Sequence, residues 1–234
     1  MSRALLIVAL VAAGVTGSAE AARKKMHSDN RRPTRSTKAN MPRGFVWPPS
    51  RTMVKMADTC EAKLDELGVG AKPTQREGRI VRAMTLPQDH QIGGITYTPA
   101  YQKHQVLDCQ LVLALANFAP KLYELGVREV LFGSAYRWSK VRVGGRTKNA
   151  LSRHALGIAL DIVGFIDDTG RVALVSKDYK HDDELLLNIE RTVNDSGMFR
   201  VLLTPRNDPK SHSDHFHLEA NPDYTEAIET RPSS

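Results

Sequence analysis

The sequence predicts an α+β fold, an antiparallel sheet flanked by helices. Two observations lead there. The clearest helical patterns come early in the body of the chain, while strand-like runs cluster late. Two of the late runs also face each other across Asp167-Asp168-Thr169-Gly170, a hairpin signal that a doubly wound parallel fold would not need.

Taken in order, Arg51 to Leu67 reads as a helix stopped at Gly68, with Val54, Ala57, Cys60 and Leu64 on roughly one face. Arg79 to Leu86 reads as a strand ended by Pro87, and Ile92 to Tyr97 as a hairpin or extended loop. Val106 to Leu125 is the strongest helical pattern, closed by Gly126, and Glu129 to Tyr136 is a strand candidate behind it. Ser139 to Ser152 reads as a basic, glycine-containing loop. Ala159–Ile166 and Arg171–Ser176 form the hairpin just mentioned, Asp182–Ser196 is a helix ending at Gly197, and Asp214–Ala220 is a final strand.

The chain has 234 residues, enough for one or two domains with a real core. A hydrophobic fraction of 41% and a charged fraction of 25% exclude a wholly disordered chain and a membrane bundle, and two cysteines exclude a disulfide-dense scaffold. The formal net charge of +7 is not spread evenly. Residues 22–43 carry eight bases and one acid, whereas residues 44–234 balance at 24 of each. The folded body therefore lacks the basic footprint of a nucleic-acid-binding domain.

Residues 1–21 read as a secretory signal peptide: Arg3, then an uncharged apolar run from Leu5 to Ala13, then Ala19-Glu20-Ala21 as a cleavage site. An uncleaved anchor is the other reading, but the run is short of the roughly 20 residues that span a bilayer. The expected location is a bacterial periplasm or beyond. Residues 22–43 read as a basic, disordered linker, either solvated or touching anionic lipid or cell-wall polymer. The domain proper is expected over 44–234. Given export, Cys60 and Cys109 are most simply one disulfide joining the first two helices, with two buried thiols as the alternative.

Chemistry concentrates in two segments, Ser152-Arg-His154-Ala-Leu-Gly157-Ile-Ala159-Leu-Asp161 and His212-Ser-Asp214-His215-Phe216-His217-Leu218-Glu219. Strand alternation places His215, His217 and Glu219 on one face and Phe216 and Leu218 on the other, and turns Asp161 away from Leu160 and Ile162. If the two strands are neighbours, Asp161 and His217 converge, and His154 reaches them from the loop that Gly157 allows to turn. Two histidines and a carboxylate are a catalytic zinc set, one Zn2+ per chain, with a fourth position for water. Iron(II) also takes such a set. Asp214, three residues before His217, is the local candidate for a general base.

Ser-x-His-x-x-Gly-x-Ala-x-Asp followed by Asp-His-Phe-His resembles the extensin-like C-terminal domain family of bacteria. That family is similar to the zinc D-Ala-D-Ala carboxypeptidases and dipeptidases, and more distantly to murein endopeptidases and hedgehog-type domains. Gly93-Gly-Ile-Thr, Leu107-Asp-Cys109 and Cys60 extend the resemblance over roughly residues 50–220. It implies His154, Asp161 and His217 as zinc ligands, Asp214 as the acidic base and Arg137, within Tyr136-Arg137, as the group that steadies the oxyanion. Ser152 is expected to contact substrate or orient its loop. His215 is expected to donate to a substrate oxygen, to support the base, or to stand by; His212 carries no assigned role. The family's additional cysteine pair is missing, which predicts a looser segment over 138–152, and Glu219 stands where the family often has Asp.

The function expected from these readings is an exported zinc hydrolase that cuts amide bonds, with peptidoglycan stem peptide as substrate. Two rivals are a non-catalytic, zinc-stabilised cell-wall binding module and a polycation acting through residues 22–43. His90, His104 and His181 have no partner at ligand spacing and read as surface or locally bonded residues.

Overall fold

The computed structural model describes residues 40–86, 89–101 and 106–225. The signal-peptide reading of 1–21, most of the basic linker, Pro87 and His104 lie outside them. In chain order the elements are α1 (Arg51–Glu66), β1 (Lys72–Pro73), β2 (Ala83–Thr85), β3 (Gln91–Ile92), β4 (Ile95–Pro99), β5 (Val106–Asp108), α2 (Cys109–Glu124), β6 (Val127–Ser134), β7 (Lys140–Val143) and β8 (Arg146–Leu151). A single 3-10 turn (Arg153–Leu156) leads into β9 (Ala159–Asp167), followed by β10 (Val172–Leu174), α3 (Glu184–Ser196), β11 (Phe199–Leu203) and β12 (Phe216–Ala220).

The α+β expectation holds, with one amendment to the antiparallel sheet. The main sheet runs β11-β12-β9-β6-β4-β3, with β10 beside β9. Every pair in it is antiparallel except β4 and β6, which run parallel. A parallel pair needs a long crossover, and α2 lies in the connection between these two strands. Two smaller antiparallel sheets, β1-β2-β5 and β7-β8, stand beside it.

The core explains where the site must lie. Leu115, Phe118 and Leu122 of α2 and Ile189 and Val193 of α3 meet Ile162, Phe165, Phe216 and Leu218 of the sheet around one small apolar space. Both helices therefore cover the face that carries Phe216 and Leu218. Alternation turns His217 and Glu219 to the opposite face.

Several boundaries differ from the sequence reading, each for a local reason. In α1 the buried stripe is Met53, Ala57, Cys60 and Leu64, while Val54 is exposed, because one residue's rotation of about 100° takes it off the 53-57-60-64 line. The strand expected over 79–86 shrinks to Ala83–Thr85, since the Val81 and Arg82 amides donate to the Asp108 carboxylate (3.1 Å each) and leave the ladder. The same carboxylate accepts from Gln110 N (2.9 Å) and caps α2, so Val106–Asp108 is a strand and the helix begins only at Cys109. The basic segment 139–152 is a hairpin, β7–β8, turning at Gly144-Gly145. β11 was not anticipated.

Cys60 and Cys109 form a disulfide, joining α1 to the first residue of α2. Their sequence separation is 49 residues. The loss of chain entropy for a loop of that size is worth about 4 kcal/mol. The Cys60→Ala/Cys109→Ala double variant should lose close to that amount in urea denaturation.

Candidate metal centre

Antiparallel pairing of β12 with β9 sets His217 directly opposite Asp161. The third side chain comes from the 3-10 turn that precedes β9. Ser152 Oγ accepts from His154 N (3.3 Å) and starts that turn, and Gly157 ends it at φ +67°. A side chain at Gly157 would strike Asp108 N at 2.8 Å, so both its handedness and the close passage of β5 demand glycine. Of the alternatives open to Ser152, the geometry supports orientation of the loop.

The three inward atoms form a small triangle. His154 Nε2 lies 3.0 Å from Asp161 Oδ1 and 3.1 Å from His217 Nδ1, and the latter two atoms are 2.8 Å apart. All three residues are buried. Their outer atoms fix their protonation. His154 Nδ1 sits 2.6 Å from the Ala135 carbonyl, which can only accept, so this nitrogen carries the proton. His217 Nε2 sits 2.9 Å from Glu219 Oε1 and donates to it. When neutral, each imidazole turns a lone pair inward, beside a carboxylate oxygen. Such a set asks for a cation, and histidines oriented by a carbonyl and a carboxylate are the arrangement metal sites use. The residues could hold a metal ion.

Glu219 is itself buried and braced. Arg200 Nη1 donates to its Oε2 (2.5 Å), and Arg153 Nε lies 3.5 Å from the same oxygen. Arg153 is fully buried and also donates to the carbonyls of Asn40 (2.8 Å) and Ala220 (2.7 Å). The sequence reading places Glu219 on the face of His217 and notes it as a family departure, but gives it no role, and it passes over Arg153 and Arg200. A Glu two residues after a ligand histidine, on the same strand face, was the available signal.

Arg137 and His215 also reach the centre. Arg137 Nη2 is 3.2 Å from Asp161 Oδ2, with the side chain half exposed. His215 precedes β12 and does not belong to the strand, so the alternation argument fails for it, yet its Nε2 comes within 3.5 Å of Asp161 Oδ1. Its Nδ1 bonds Asp214 Oδ1 at 2.7 Å. Asp214 is 70% exposed and meets the centre through His215. His212 is buried, pairs with Asp208 (3.0 Å), and its ring centre lies 5.1 Å from that of His215, edge to face, and 5.0 Å from that of His217, tilted. His90 bonds locally to the Tyr97 carbonyl.

Charge follows from this packing. Burial alone would raise the Asp161 carboxyl, but His154 and His217 outweigh it and hold it well below the usual range. Burial lowers the His154 imidazolium, with Asp161 opposing only in part. For His217 burial also acts downward, but the carboxylates of Asp161 and Glu219 win and raise it to about 8.

An α+β domain with a buried His-Asp-His cluster on one sheet face is thus defined. The family model for the extensin-like protein C-terminus matches residues 58–227, and the chain belongs to that family. No curated protein and no solved structure matches it significantly.

Two outcomes follow for metal binding. Near pH 7 the metal-free His217 holds its extra proton, while His154 is neutral and Asp161 ionised. Zinc binding should then release about one proton, read as the buffer dependence of the calorimetric enthalpy, and the release should fall toward zero as pH rises past 8. Glu219→Gln keeps the shape but weakens the acceptor of His217 Nε2, so zinc affinity in a competition titration should drop by roughly 10- to 100-fold.

Proposed function

We propose that the protein is an exported zinc-dependent hydrolase that cleaves amide bonds in peptidoglycan stem peptides. The observation that carries this reading is the triangle formed by the inward atoms of His154, Asp161 and His217, with the half-exposed Arg137 beside it. Zinc bound there would supply Lewis acidity and an acidified water. The motif likeness to zinc D-Ala-D-Ala carboxypeptidases and endopeptidases supports the amide as target. The Cys60–Cys109 bridge suits an oxidising compartment.

The chain's own groups have separate tasks. His154, Asp161 and His217 hold the ion. Asp214 takes a proton and returns it to the leaving amine, with His215 Nε2 as the nearer nitrogen through which the pair addresses the centre. Arg137 can swing its exposed guanidinium from Asp161 to the oxygen on which negative charge develops. Ser152 fixes the turn that presents His154.

The purified protein should carry one zinc per chain and release peptide fragments from purified peptidoglycan, identified by mass spectrometry. His154→Ala should lose both metal and cleavage. Asp214→Ala and Arg137→Ala should keep zinc and lose at least about 100-fold in rate, the scale set by removal of a general base or an oxyanion donor. Zinc without cleavage, and cell-wall binding untouched by both substitutions, would instead identify a binding module.

A further inference from the structure

The β7–β8 hairpin is an insertion between site residues. It leaves the sheet just after Arg137 and returns at Ser152, two residues before His154. Its base is closed by Ser152 N donating to the Ser139 carbonyl (2.9 Å). Its tip is held by Gly145 N donating to Ser211 Oγ (3.1 Å), three residues before Asp214. The hairpin and the segment leading into β12 are therefore joined, and the chain enters and leaves the hairpin next to Arg137 and His154.

Its charge has one sign. Between Glu129 and Asp161 the chain has no acidic residue, but it has Arg137, Lys140, Arg142, Arg146, Lys148 and Arg153. Lys140, Arg142, Arg146 and Lys148 are exposed, as is Lys210 beside the Gly145 tip. Lys140 bonds Asn149 Oδ1 (3.2 Å), and among the described residues no carboxylate pairs with any of these four hairpin bases. Charges that only keep a surface soluble come in both signs. Residues 44–234 balance at 24 of each only with these four bases counted, so the hairpin stands out against a remainder of net charge −4. Trp138, more than half exposed at the hairpin's start, adds an aromatic face.

We infer that this hairpin reads carboxylates on the substrate: it selects acidic peptides, binding free carboxylates several residues from the bond held at the metal centre. The inference rests on the amide-hydrolase reading for the identity of the bond, though not for the charge of the ligand. A strand of six residues reaches about 20 Å, the scale of a short peptide laid along it. Simple point charges in water attract at that range only when several act together and salt is moderate, so selectivity should weaken as ionic strength rises.

The test compares soluble peptidoglycan fragments bearing free carboxylates with the same fragments after amidation, by calorimetry on the full zinc-loaded chain. The acidic form should bind at least tenfold more tightly. Lys140→Ala/Arg142→Ala/Arg146→Ala/Lys148→Ala should remove that difference with zinc content and thermal midpoint unchanged, and Arg142→Lys/Arg146→Lys should keep it. Equal affinities for the two forms, or no binding of either, would overturn the inference. So would a loss in the quadruple variant confined to vesicles of anionic phospholipid, which would assign the hairpin to a membrane. Acid-selective binding without cleavage would sink the hydrolase and leave the hairpin's role standing, whereas cleavage blind to amidation would do the reverse.

Discussion

Two imidazole nitrogens and a carboxylate oxygen held about 3 Å apart need positive charge among them, which without an ion the extra proton of His217 supplies, and much of the surrounding structure serves to hold them there. The arrangement depends first on strand register. A slip of one residue between β12 and β9 would send His217 into the helix-covered face and Phe216 out of it. The apolar packing of Phe216 and Leu218 against α2 and α3 therefore secures the polar cluster on the reverse side. Register is set by burial on one face and used by chemistry on the other.

Behind the cluster, the order of charges alternates: Asp161, then His217, then Glu219, then Arg153 and Arg200. Each buried ion has an opposite neighbour, which is the condition under which buried charge is tolerated. Arg153 carries a second duty, because its bond to the Asn40 carbonyl pins the described start of the chain to the back of the site. The hairpin in front and the arginine pair behind thus differ in kind: the first faces solvent with unpaired charge, the second is sealed and neutralised.

How much of this could be read from residues alone varied with the range of the interactions. The helices α1 and α3, their glycine stops and the β9–β10 turn were legible, because their signals lie within a few residues. The convergence of His154, Asp161 and His217 was legible too, once alternation was combined with an assumed strand neighbour. What escaped was set by distant partners. Asp108 captures the amides of Val81 and Arg82 and so shortens one strand and delays one helix, a consequence invisible at either segment alone. The β7–β8 hairpin has charged strands without apolar alternation, so it reads as loop. β11 is an edge strand following closely on α3. His215 was placed correctly near the centre for a mistaken reason, since it approaches from a bend and not along a strand.

The Cys60–Cys109 bridge sits one residue from Asp108, whose backbone amide donates to the Gly157 carbonyl at 2.8 Å. Gly157 closes the turn that bears His154. Covalent oxidation and ligand presentation are therefore linked by two short steps along one backbone. The bridge thus fences the backbone on which the His154 turn rests, so an ion held by this cluster would meet a turn already fixed from behind.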